Sequence, residues 1–213
     1  MKHFLFAVLA CTSLAAQAAD LTTSIIMQGN SQGATACVTC HGSDGGGISS
    51  NGFPRLAGLN GGYISNQLQN FKTGKRTNPI MQPIANALTA KEIKLVAAYY
   101  ASLPMPAYTP EIGTPELIKS GEGIALNGDW NHDIPACFQC HGPGGRGINS
   151  DFPAIVGQSS AYISSQIEAW KTGARADDPI GLMRSVSSKL TPEQIKAVST
   201  FIANQTLTNG IKK

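Results

Sequence analysis

The chain has 213 residues, room for one large domain or two of about a hundred. With 14% charged and 42% hydrophobic residues, 23 Gly and 12 Pro, it is neither a disordered polyelectrolyte nor a coiled coil. A formal charge of +3 is too small to argue for nucleic acid, and five cysteines are an odd number for a disulfide framework.

Met1, Lys2 and His3 form a short basic start, Phe4 to Leu14 is an apolar run, and Ala16-Gln17-Ala18 is a small-x-small cleavage site. Together they read as a secretory signal over residues 1–18. No later stretch approaches the roughly 20 apolar residues of a membrane helix. The expected mature protein is exported to the periplasm without a membrane span, with peripheral membrane association left open. Cys11 leaves with the signal, which reduces the mature cysteines to four. The rival reading makes Val8-Leu9-Ala10-Cys11 a lipoprotein site, against which stands an apolar segment of only seven residues before the cysteine.

The remainder is one module written twice. Cys37-Val38-Thr39-Cys40-His41-Gly42 opens the first copy, and residues 42–62 that follow are rich in Gly, Ser and Asn and predict irregular structure. Tyr63, Ile64, Gln67, Leu68 and Phe71 recur at helical spacing and run into Gly74, a natural C-terminal cap. Thr89 and Glu92 form a capping box for a last helix that buries Ile93, Val96, Ala97 and Tyr100 before Pro104 stops it. Residues 104–115, with Pro104, Pro106 and Pro110, predict a semi-rigid linker.

The second copy repeats these signals in order. Cys137-Phe138-Gln139-Cys140-His141-Gly142 lies 100 residues after the first motif, and Phe152-Pro153, Gly157, Tyr162-Ile163, Gln166 and Lys171-Thr172-Gly173 match Phe53-Pro54, Gly58, Tyr63-Ile64, Gln67 and Lys72-Thr73-Gly74. Arg175 matches Arg76, Pro179-Ile180 matches Pro79-Ile80, and Thr191, Pro192 and Gln194 start the last helix. No alternating apolar strand is present. The expected fold is all-α, with modules over residues 19–103 and 116–213. Each module has a small core of its own, so another group should fill it.

Cys-x-x-Cys-His is the attachment sequence of a c-type haem: two thiols add to the vinyl groups and the adjacent His ligates the iron. A zinc site needs four ligands at matching spacing, and outside the signal only His132 is left over. A thioredoxin-type pair requires neither the His nor a second copy. Cys37, Cys40 and His41, and Cys137, Cys140 and His141, are therefore expected to hold two covalent haem c groups. Met81 lies 40 residues after His41 and Met183 lies 42 after His141, each beyond a Pro-Ile pair. Met often serves as core filler, but a pair at matching positions is expected to supply the second axial ligands. His/Met ligation raises the haem potential and suits a carrier. The second copy has Gly181-Leu182 inserted before its Met, so the two ligand loops must differ.

A ligating His usually donates its other ring N–H to a fixed acceptor, and the carbonyls of Pro54 and Pro153 are candidates, unless these prolines only order a loop. Arg76 and Arg175, with Tyr63, Tyr162 and Trp170, are candidates to bind haem propionates; the alternative is solvated arginines and core aromatics. His132 is expected on the surface.

On these residues the chain resembles the cytochrome c4 family and related dihaem class I cytochromes c, across essentially the whole mature sequence. Ile134-Pro135-Ala136-Cys137 and Phe152-Pro153-Ala154-Ile155-Val156-Gly157-Gln158 also look like that family. The resemblance implies two cytochrome c domains related by a pseudo-twofold axis and two His/Met-ligated haems. It implies a periplasmic role carrying electrons between redox partner proteins, respiratory donors and terminal oxidases. It also implies that the Pro after each haem motif supplies the carbonyl for the ligating His.

Two functions follow. One is a dihaem electron carrier without substrate chemistry. The other is an enzyme or its haem subunit: a peroxidase, a thiosulfate-oxidising protein or the cytochrome subunit of a dehydrogenase, which needs an exchangeable distal position. Charge separates the modules. Residues 19–109 carry a net +3 and residues 110–213 a net −1. A difference of four charges at about 15 Å raises the first potential over the second by roughly 50 mV before salt screens it.

Overall fold

The computed structural model describes residues 19–107, 110–111, 113–178 and 180–205. The signal segment, with Cys11, and Pro179 of the second Pro-Ile pair lie outside them. Among the described residues the chain is helical, with β-structure confined to isolated bridges.

The described part of α1 covers 19–28. It presents Ile25 and Ile26 to a core completed by α3 (Gly61–Lys72) and α5 (Ala90–Ser102), through Ile64, Leu68, Phe71, Ile93, Val96 and Tyr100. Helix α3 starts two residues before its first apolar position because Asn60 caps it, accepting from the Tyr63 N–H at 3.1 Å. The capping box of α5 is complete: Thr89 and Glu92 each accept the other's backbone N–H. The short helices α2 (Val38–His41) and α4 (Met81–Asn86) carry the motif and the candidate Met.

In the second module α6 (Pro115–Asn127) crosses α10 (Pro192–Ala203) closely enough that a Cβ on Gly121 would collide with the Ala197 carbonyl. Helix α6 begins inside the stretch expected as linker, because Thr114 caps it and Pro115 fits the first turn, where an N–H is unpaired anyway. Helices α7 (Cys137–Cys140), α8 (Ser160–Thr172) and α9 (Leu182–Lys189) complete the copy. Its core is Ile124, Ile134, Ile163, Ile167, Ile195, Val198, Phe201 and Ile202.

The modules meet about a local twofold. Arg76 and Arg175 form an antiparallel bridge, with Thr77 N donating to Ala174 O and Ala176 N to Lys75 O, both at 2.7 Å. Each module thus offers the same turn after its long helix to the other.

Candidate haem-binding sites

The two histidines are held alike. Past each Cys-x-x-Cys helix the chain turns back on itself, Gly47 N donating to His41 O at 2.9 Å and Gly147 N to His141 O at 2.7 Å. Both glycines have left-handed φ, 84° and 78°. A Cβ on Gly47 would stand 2.7 Å from the Pro54 carbonyl carbon, and one on Gly147 2.9 Å from that of Pro153. Only glycine lets the proline segment approach so near. The approach brings His41 Nδ1 to 2.9 Å from Pro54 O, and His141 Nδ1 to 2.8 Å from Pro153 O.

A carbonyl oxygen only accepts, so each Nδ1 carries the proton and each Nε2 keeps its lone pair. Burial lowers the pKa of both rings, partly opposed by the hydrogen bond to proline; for His141 the Arg175 charge adds to the lowering. Both imidazoles are therefore kept neutral, the form that ligates a metal. His132 pairs with Asp129 at 2.7 Å on an exposed turn, as expected of a surface residue.

Cys37, Cys40, Cys137 and Cys140 form no disulfide. Burial pushes the Cys37 and Cys137 thiols up to about 11. The described residues contain no group of three or more His, Cys, Asp or Glu placed to hold a bare metal ion. Cys37, Tyr63 and Met81 are partly buried against the first core, as are Leu56 and Leu103. Met81 begins α4, its N–H held by Asn78 Oδ1 at 2.9 Å. In the second module Cys137, Phe138, Ile155 and Val186 are partly buried against the core. Met183 is reached through Gly181 in a left-handed turn. The buried hydroxyl of Ser187 in the second module has no hydrogen-bond partner among the described residues, and that of Tyr100 in the first has only the Cys37 thiol beside it. Such hydroxyls, two pairs of thiols and two neutral imidazoles fit a haem in each module.

Arg76 and Arg175 are not solvated; they are 8% and 7% exposed and join the modules. Arg76 donates to Tyr162 Oη at 2.9 Å, and Arg175 to Tyr63 Oη at 3.2 Å, each reaching into the other copy. Gln67 Oε1 accepts from both arginines at 2.7 and 3.0 Å, and Gln166 Oε1 likewise at 2.5 and 3.2 Å. Arg76 also lies over Phe71, and Arg175 over Trp170, each 4.6 Å from the ring centre. One carboxylate enters this network: Asp177 accepts from Arg175 Nε at 3.0 Å, from Gln67 at 2.7 Å and from Asn70 at 2.8 Å. Burial alone raises the Asp177 carboxyl and the Tyr63 phenol, but Arg175 and its neighbours override it and leave both below their ordinary values.

A second contact between modules surrounds Arg55, which is 4% exposed. Its guanidinium donates to Val156 O at 2.9 Å, Gly157 O at 3.2 Å and Ala57 O. Burial lowers its pKa to about 10, so it stays charged at neutral pH. Neither Arg55 nor Gln158, which clamps it, was marked by the repeat, because neither has a counterpart of its own type: Ala154 and Leu59 stand there.

Fold and site define a class: a helical chain of two homologous modules, each with a haem c attachment motif and a buried neutral histidine. The sequence profile of the cytochrome c family matches residues 26–104 and 134–206. A thiosulfate dehydrogenase electron acceptor of Stutzerimonas stutzeri is 42% identical over 193 residues, covering 90% of this chain and 89% of that protein. Cytochrome c4 of Thiocapsa roseopersicina is 38% identical, covering 78% and 85%. Among solved structures, thiosulfate dehydrogenase (TsdBA) from Marichromatium purpuratum superposes with a TM-score of 0.82 at 37% identity, over 88% of this chain. The chain spans 40% of that longer chain. Reduced cytochrome c4 from Pseudomonas stutzeri superposes with a TM-score of 0.72 at 32% identity, covering 80% and 93%.

The chain belongs to the cytochrome c family, as a two-domain member of the cytochrome c4 type. It is a dihaem electron-transfer protein with two covalently bound haem c groups, built as two class I domains about a pseudo-twofold axis. None of its described helices is long and apolar enough to cross a membrane.

Proposed function

We propose that the protein is a periplasmic carrier that accepts single electrons from a thiosulfate-oxidising enzyme and passes them to a further redox protein. The observation that carries this reading is the matched pair of His–Pro contacts, 2.9 and 2.8 Å long, which supports two equivalent ligand sites in one chain. The names of relatives 42% and 44% identical to it support the choice of donor.

In this reading Cys37 and Cys40 would attach the first haem, and His41 and Met81 would ligate its iron; Cys137, Cys140, His141 and Met183 would do the same in the second module. Bound haem supplies a one-electron iron couple, and His/Met ligation sets it high. The phenols of Tyr63 and Tyr162 each accept from an arginine, which leaves the hydroxyl's donor side available to a propionate. Arg76 and Arg175 hold positive charge beside them, and Trp170 backs Arg175. Residues 1–18 act as the export signal, and residues 19–103 and 116–213 are the two working modules. With both ligands to each iron supplied by the protein, the haems would exchange electrons rather than bind substrate, through small transient contacts with partners.

The test is reduction of oxidised holoprotein followed optically. Thiosulfate with a thiosulfate dehydrogenase should reduce both haems, while thiosulfate alone should not. Rapid reduction by thiosulfate alone, or fast binding of cyanide or peroxide, would instead support an enzyme. A stable complex with the dehydrogenase is a second reading, favoured by the match to part of a longer thiosulfate dehydrogenase chain; co-elution on size exclusion tests it.

A further inference from the structure

We infer that Gln158 of the second module tunes the iron ligand of the first through a single peptide group. The inference rests on the assignment of His41 as that ligand. The Pro54–Arg55 peptide is bonded at both ends: its carbonyl accepts from His41 Nδ1 at 2.9 Å, and its N–H donates to Gln158 Oε1 at 3.0 Å. Gln158 is 4% exposed and cannot turn away, since its Nε2 donates to Arg55 O at 2.8 Å. Arg55 in turn holds the backbone of Val156 and Gly157, which fixes where Gln158 begins.

Hydrogen bonds in a chain polarise one another. Donation by the Arg55 N–H to Gln158 makes the Pro54 oxygen a better acceptor, which draws the His41 Nδ1 proton outward. The imidazole becomes a stronger electron donor, and ferric iron is favoured over ferrous. The second module has the same His–Pro contact, at 2.8 Å, but not the relay. Leu59 stands where Gln158 would be needed, and it has no amide. Of the two histidines, only His41 is therefore tied to the other module through its proline peptide.

Gln158→Leu copies the side chain at 59, and Gln158→Glu keeps an acceptor oxygen with added charge. Both are read by proton-nitrogen NMR of the fully reduced holoprotein. In the wild type both ligated histidine rings should show large ring-current shifts. In Gln158→Leu the His41 Nδ1–H resonance should move upfield while that of His141 stays. The first haem's redox equilibrium should shift about threefold toward the reduced form, about 30 mV, as expected for a 10–30% change in one hydrogen bond. Gln158→Glu should move both quantities the opposite way, and it serves if the leucine variant fails to fold. An unmoved His41 resonance, or equal movement of His41 and His141, overturns the relay. A wild-type His41 ring without a ring-current shift removes the ligand assignment and the relay with it.

Discussion

His41 and His141 sit in loops that share their main contacts: the same backward turn at a left-handed glycine, the same proline acceptor, and paired bonds from residues 56 and 57, and 155 and 156, to Gly45 and Gly145. The segments after Arg76 and Arg175 do not match. The second copy takes eight residues from its arginine to its methionine where the first takes five. One of the additions, Asp177, is the carboxylate of the module interface, and two more, Gly181 and Leu182, reshape the approach to Met183. The side of each site that bears the histidine is thus conserved between copies. The methionine side and the interface are where they diverge, and differences in potential and stability should arise there.

The largest test of that comparison exchanges the methionines. Met81→His and Met183→His should each lower one potential by on the order of 0.2 V, part of the ~0.8 V span that axial ligands command. Redox titration of each variant then assigns the two waves to modules. A variant that leaves both waves in place would show that its methionine is not a ligand.

Removal of the arginines tests the unequal interface. Arg175→Met leaves Asp177 buried and charged without its partner and should cost about 3–5 kcal/mol in denaturant unfolding of the holoprotein. Arg76→Met strands only neutral acceptors and should cost about 1–3 kcal/mol. Equal losses would mean that Asp177 does not set the difference.

Acid gives a gentler version. Because the Asp177 carboxyl is held below its ordinary value, its contribution is present above pH of about 4 and is lost as pH falls through the depressed value. Asp177→Asn should cost about 1.5–3 kcal/mol at pH 6, and the gap to wild type should close in acid. A gap independent of pH would remove the ion pair from the account.

The smallest effect is the charge difference between modules. The first haem should lie roughly 50 mV above the second at low salt, less at high salt. A clearly higher second potential would mean that the Met183 loop outweighs charge.

Much of this was legible in the sequence because the module is repeated. The motifs, the Pro54 and Pro153 acceptors and the capping boxes at Thr89 and Thr191 were readable as pairs, each tied to a local bond. Helices α1, α6, α4 and α9 went unread: the last two are short, and their stability comes from packing against longer neighbours. The arginines were read as candidates for propionates, but their reach across to Tyr63 and Tyr162 is a fact of tertiary placement. Gln158 was legible only as the end of a family-like segment and Arg55 not at all, since the repeat marks only residues present in both copies and this pair is present once.

The central claim, two haems each held by histidine and methionine in a carrier, is tested most directly by one redox titration of purified holoprotein with optical and paramagnetic resonance detection. The account predicts two one-electron waves, a full-strength methionine-to-iron charge-transfer band from each oxidised haem, and two low-spin signals. A band of half strength, or a high-spin haem, would contradict it.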